Sequence, residues 1–253
     1  MRHRLATVGF LLLAIAAWAL LSSVGPWPHW LFPGPPAVAR SVAQMAADGR
    51  LWDALGRSLA RLAQGYGLSA LLGVPLGVVM ARSGLVQQAL RPVVLGLQAL
   101  PSICWLPLAL LWFGLSESAI VFVVVMGSLL AIAIAAEDAV SGVDPILLRA
   151  AGTLGVRGLR FHAGVLLAAA LPGLLTGLKL GWSFAWRALM AGELIFVAGG
   201  LGQLLNQGRE LLDAAQVMGV MACIVVIGVA VDQVLFRWLE LRVRRRWGLL
   251  EAA

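Results

Sequence analysis

The chain has 253 residues, 61% of them apolar and only 12% charged, about half the charged share of a soluble domain. That composition excludes a water-soluble fold and points to an all-α polytopic membrane protein, because helices satisfy their own backbone hydrogen bonds in lipid. A formal net charge of +7 would suit nucleic acid, but the arginines stand at the ends of apolar blocks, where they fix orientation against the membrane instead.

In chain order, the basic start Met1 to Arg4 opens an apolar run from Leu5 to Leu21. A cleaved signal peptide shares this grammar, with Ser22-Ser23 as a cleavage region. A retained first helix is preferred, since a cytoplasmic N-terminus places the later basic segments correctly. Pro26, Pro28, Pro33, Pro35 and Pro36, interleaved with Trp27 and Trp30, predict an extended segment at the outer interface. Ala37 to Gln64 reads as an amphipathic helix feeding a second span, in which Gly65, Gly67, Gly73 and Gly77 suggest close helix contact. Arg82 to Pro101 follows, with a break at Leu100-Pro101, and then Ile103 to Gly114. A fourth span covers Ala119 to Ala136, a fifth about Ala163 to Leu194 including Pro172, and a sixth Val217 to Val231. Each of these blocks can cross a bilayer core, which takes about 20 helical residues.

With the N-terminus inside, six spans put Arg2, Arg4, Arg82, Arg91, Arg149, Arg157, Arg160 and the tail arginines Arg237 to Arg246 in the cytoplasm. Only Arg40, Arg50, Arg57, Arg61 and Arg209 stay outside, as the positive-inside rule requires. The expected division is an N-terminal helix with a Pro/Trp-rich periplasmic segment over residues 1–50, then a five-helix core over 51–253. Within that core lies a polar cytoplasmic loop over 137–162.

That loop is the most polar stretch between two long apolar blocks. Asp144 can cap a helix beginning at Pro145, because its carboxylate satisfies free amide donors and proline has no amide to leave unpaired there. Ala150, Ala151 and Gly155 remove side-chain bulk, and Gly155 can take the left-handed conformation that ends a helix. The product is a compact knuckle shaped for a partner's groove.

Here the chain resembles the permeases of binding-protein-dependent ABC importers, whose coupling loop reads Glu-Ala-Ala, three residues, Gly, and then an apolar stretch ending in Leu-Pro. Ala150, Ala151, Gly155 and Leu171-Pro172-Gly173 match, the last as in the aliphatic sulfonate, taurine and nitrate branch. Arg149 stands where glutamate is usual, and Leu167-Ala168 replaces an earlier Leu-Pro. Ser58 to Ser69 is similar to the family's entry to its transport core. Pro107-Leu108 with Trp112-Phe113-Gly114 resembles its third span, and Ala191-Gly-Glu193 with Gly199 to Gly202 a later pair. Asp232 followed by a basic tail containing Trp247 matches as well.

The resemblance implies an ABC type I importer fold in the bacterial inner membrane, with both termini cytoplasmic. It implies a second permease copy, cytoplasmic ATPase subunits and a periplasmic or lipid-anchored substrate-binding protein. Asp144, Pro145, Leu148, Arg149, Ala150, Ala151, Leu154, Gly155 and Arg157 would then form the ATPase-coupling surface. ATP and Mg would be bound by the partner. Lys179 is the one lysine of the sequence, and no phosphate-binding loop can be written around it.

Charged groups inside spans are functional candidates by default. Lys179, Ser183 and Arg187 fall near one helix face and could line a water-filled path for a small anion, with Gln98, Ser102 and Glu193 as further lining residues. Lys179 could instead pair with Glu193 or Asp232. Trp182 and Trp186 would serve as stacking surfaces if the passenger were a thiamine-precursor or flavin-like molecule, and are otherwise packing residues. An ion-driven carrier would want inverted repeats and mid-membrane carboxylates, and no convincing repeat is present. An enzyme would want a catalytic cluster, whereas His3, His29 and His162 lie in three separate segments. Cys104 and Cys223 are isolated, without disulfide or metal spacing.

Overall fold

The computed structural model describes residues 2–196 and 199–246, which are helical with short connections. In order these are α1 (Arg2–Val24), α2 (Pro35–Ala47), α3 (Arg50–Arg82), α4 (Gly84–Gln98), α5 (Leu106–Phe113), α6 (Glu117–Ser141), α7 (Pro145–Thr153), α8 (Gly158–Phe161), α9 (Leu167–Ile195), α10 (Leu201–Glu210), α11 (Ala214–Ala230) and α12 (Arg237–Arg246). A 3-10 turn at Ser102–Trp105 leads into α5, and π-helical stretches at His162–Leu166 and Val231–Phe236 lead into α9 and α12.

Four helical stretches are long and apolar enough to cross a bilayer: Arg50–Arg82, Glu117–Ser141, Gly164–Ile195 and Ala214–Val243. A fifth arises if Gly84–Gln98 and Ser102–Phe113, bent by 98° to each other, form one broken span. The apolar part of α1, Gly9–Val24, is shorter than these. The expected uninterrupted helix from Ala37 to Gln64 is in fact two, because Gly49 turns the chain with φ +77° between α2 and α3.

The chain divides into two compact units, Met1–Ser58 with Val197–Val226 and Leu59–Phe196 with the chain from Ile227 onward. The stretch after α9 therefore groups with the N-terminal helices, where the sequence suggested a single boundary near residue 50. In the first unit, Trp18 Nε1 donates to the Pro33 carbonyl (3.1 Å), which ties the proline-rich segment back to α1. Asp213 caps α11 through the Gln216 amide (3.0 Å), and Gly219 lets α11 approach Val42 of α2.

In the second unit α6 is the central helix, and it is gripped by small-residue stripes on two neighbours. On α3 the stripe is Gly65, Ser69, Gly73 and Gly77, at a spacing of four that keeps one face. A side chain at Gly65 would meet Val124 Cβ at 2.7 Å, and one at Gly73 would meet the Leu129 carbonyl at 2.9 Å. Ser69 donates to the Gly65 carbonyl and accepts from Ser128 of α6, each at 2.8 Å. Gly67, expected in the same stripe, points into open space, being two residues off the contact face. On α9 the stripe is Gly173, Gly177 and Gly181, against Ala139, Ala135 and Ile132 of α6. Close backbone approach of this kind replaces the hydrophobic drive that lipid cannot supply.

Candidate coupling and translocation sites

Two places in the second unit collect the residues singled out above. The first is α7, carried directly on the end of α6. Asp144 Oδ1 accepts from the Ile146 amide at 2.7 Å, which caps a helix whose first residue is Pro145. At the other end, the Val156 amide donates to the Ala151 carbonyl and the Gly155 amide to the Gly152 carbonyl, each at 3.1 Å. That bond pair requires a left-handed residue, and Gly155 supplies it with φ +77°. Both ends of the knuckle are therefore fixed by the residues the sequence pointed to.

Its faces are assigned differently from the expectation. Ala151 is buried, and Leu148 packs against a core of Ala136, Val140, Val143, Leu166, Ala170 and Leu174. These two anchor α7 to the bundle rather than offering a surface to a partner. The outward face carries Ile146, Leu147, Arg149, Ala150, Leu154 and Arg157. Ile146 is 66% and Leu154 82% exposed, an apolar display outside the four long spans that water alone does not favour. Ile146 and Leu147 were not among the residues the sequence pointed to, since nothing local marks which apolar side chains of a short helix face outward.

The second place is the bend between α4 and α5. A cavity of about 290 Å³ opens there, lined by Gln98, Pro101, Ser102, Gly127, Phe184 and Arg187 among others. Residues 82 and more apart in sequence are thus joined: the broken span, up to Ser102, supplies one wall, and α9, from Phe184, the other. On α9, Arg187 Nε donates to the Ser183 carbonyl (3.0 Å) and the Ser183 hydroxyl to the Lys179 carbonyl (3.4 Å), so the three lie one above another along the helix. Ser183 and Arg187 are exposed. The Phe184 ring lies under the Arg187 guanidinium at 4.6 Å.

Four other predicted path residues are committed elsewhere. Lys179 Nζ lies 3.0 Å from Asp232 Oδ1, a pair that offsets its charge. Trp182 and Trp186 stack with a 6.2 Å centroid separation, and Trp182 also meets Tyr66 edge-on at 5.6 Å and Phe236 at 6.0 Å. The two indoles are packing residues within this unit. Glu193 was expected along the path, but its side chain is sealed in the interior, with Oε1 2.9 Å from Arg61 Nη1. Arg61, assigned from the sequence to the outer side of the membrane, is 1% exposed and also holds Glu117 at 2.8 Å. A second ionic knot joins Arg91 of α4 to Glu137 (2.6 Å) and Asp138 (3.1 Å) of α6, with Gln87 on the same Glu137 oxygen. No group of three or more His, Cys, Asp or Glu that could hold a metal occurs among the described residues.

With this geometry in view, the likeness to known proteins is specific. A family model described as the binding-protein-dependent transport system inner membrane component matches residues 73–247. The taurine transport system permease protein TauC of Escherichia coli (strain K12) is 29% identical over 226 residues, covering 87% of this chain and 82% of that protein. The putative aliphatic sulfonates transport permease protein SsuC of the same organism is 31% identical over 218 residues, covering 86% and 83%. In fold, the chain is similar to a chain of the MetNI methionine ABC transporter in an inward-facing conformation, with a TM-score of 0.69 at 20% identity over 78% of this chain and 98% of that one.

Proposed function

The chain belongs to the family of binding-protein-dependent transport system inner membrane components, and from that premise we propose how its parts divide the work of an ABC importer permease. The outward face of α7 docks on a cytoplasmic ATPase subunit, which binds ATP and Mg. Ile146, Leu147, Ala150 and Leu154 fill the groove, while Arg149 and Arg157 face its rim. Asp144, Pro145 and Gly155 hold the knuckle's shape, and Leu148 and Ala151 fasten it to the bundle. Rocking of the ATPase pair then moves α6, on whose end α7 sits, and through the small-residue contacts moves α3 and α9 with it.

Two copies of the chain form the translocation path, a periplasmic or lipid-anchored binding protein delivers the solute, and α1 counts as a sixth span. The N- and C-termini lie in the cytoplasm, an orientation that the arginine distribution supports. The passenger is a small anion of the sulfonate type, in keeping with the relatives named for taurine and aliphatic sulfonates. Gln98, Ser102, Ser183 and Arg187 line its way. The observation that carries this reading is the exposed apolar face of a capped helix that lies outside the long spans, with Leu154 82% exposed at its end.

The experiment is ATP turnover of the reconstituted permease and ATPase with the binding protein present. Changing Ile146 and Leu154 to Asp should leave the permease folded but abolish stimulation by the binding protein. Unchanged stimulation and unchanged co-purification would show that α7 is not the docking element.

A further inference from the structure

We propose that Arg187 is the anchor of an anion subsite inside the cavity at the α4–α5 bend, and that Lys179, its companion on α9, is not part of it. The proposal rests on the permease reading above and adds to it which cation holds the anion and through which of its nitrogens.

The distinction comes from where the fold spends its countercharges. Arg61 faces Glu117 and Glu193, Arg91 faces Glu137 and Asp138, and Lys179 faces Asp232. Arg187, on the same helix α9, has no carboxylate within ion-pairing distance among the described residues, and its neighbours are a ring and a backbone carbonyl. A cation left without a countercharge among the described residues, beside a cavity, is where an incoming anion gains most.

The hydrogen-bond inventory narrows the geometry. Nε of Arg187 is already used on the Ser183 carbonyl, so the side-on fork of Nε with one terminal nitrogen is taken. The two terminal nitrogens remain, and together they present an end-on pair of donors spaced for two oxygens of one oxyanion. Across the cavity, Ser102 adds a hydroxyl. Gln98 lines the cavity beside it.

Size favours the same class. About 290 Å³ lies at the lower edge of ligand pockets, which run from roughly 300 to 1,000 Å³. A sulfonate head with a short tail fits that volume. Phe184 holds one face of the guanidinium, so the anion approaches its edge rather than stacking on its plane.

The test uses the permease with its ATPase partner in lipid nanodiscs, without binding protein, and radiolabelled methanesulfonate in equilibrium dialysis. The wild-type complex should bind the probe saturably, displaced by unlabelled methanesulfonate but not by dimethyl sulfone, which has nearly the same shape and no charge. Arg187→Gln should weaken binding by about tenfold or more, the loss of a charged hydrogen-bonding partner. Arg187→Lys should recover part of it, which keeps the test sound should the glutamine variant assemble poorly. The paired change Lys179→Gln with Asp232→Asn should bind as the wild type does. Absent saturable binding, equal binding by Arg187→Gln, or an equal loss in the Lys179/Asp232 pair would each overturn the subsite. If the wild-type complex still answers the binding protein with faster ATP turnover, such a result leaves the permease reading standing. If that response is missing as well, the permease reading falls and the subsite with it.

Discussion

Replacing Arg61 with Met should be among the most damaging single changes in the bundle. The guanidinium is 1% exposed and lies 2.9 Å from the Glu193 carboxylate, which is itself enclosed, and 2.8 Å from Glu117 at the start of α6. Removing it strips Glu193 of that counter-charge where water cannot replace it, and breaking a buried pair from one side costs roughly 3–5 kcal/mol. For a chain of this size each kcal/mol corresponds to about 2–4 °C in the unfolding midpoint, so a fall of about 10 °C is expected. The assay is the thermal midpoint of the detergent-purified permease, followed by the surviving monodisperse peak in size-exclusion chromatography. Adding Glu193→Leu to Arg61→Met should restore most of the loss, because two apolar groups of similar volume need no countercharge. Exposed Glu117 is left in contact with solvent and costs little. A single variant whose midpoint stays within about 2 °C of the wild type, or a double variant no better than the single, would refute the reasoning.

Three further expectations use other parts of the same unit. Gly77→Val should prevent close contact of α3 with α6, since a Cβ there runs into the Ala133 carbonyl and comes within 2.7 Å of Ala136 Cβ. Backbone on one side cannot yield, so a loss of about 1–3 kcal/mol in the same thermal assay is expected, while Gly67→Val, facing open space, should be mild. Gly155→Val forces a β-branched residue to φ +77°, a strain of about 1–3 kcal/mol. It should loosen α7 alone, seen as faster limited proteolysis between residues 144 and 158 with an unchanged global midpoint. Asp144→Ala removes the cap on the Ile146 amide and should weaken the same helix by about 1 kcal/mol, with the same proteolytic readout.

Local chemistry made part of this molecule legible in its sequence. Asp144, Pro145 and Gly155 announce the ends of α7 because caps and left-handed glycines act through neighbouring amides. The break at Leu100-Pro101 likewise foretells the bend that opens the cavity. Burial was less legible. Ala150 and Ala151 are identical in the sequence, and only the packing of α7 on the Val140 and Leu166 core decides that one faces out and the other in. The Arg61 knot joins residues 56 and 132 positions apart, so no spacing rule reaches it. The split of α9's cations is similar: Lys179 and Arg187 look alike along the helix until Asp232, from another element, chooses one. Gly67 differs from Gly65 and Gly73 only in helical phase, which the spacing of four could have revealed.

The central claim is that α7 receives work from a separate ATPase. It is tested most directly with a cysteine at Leu154, in a background where Cys104 and Cys223 are changed to Ser and Ala, and a short bifunctional crosslinker added to inside-out membrane vesicles containing the whole transporter. The account predicts a crosslinked species of permease and ATPase subunit, with ATP turnover arrested once it forms. A Leu154→Cys thiol that reacts only from the opposite face of the membrane, or that joins no ATPase subunit while the transporter remains active, would contradict it.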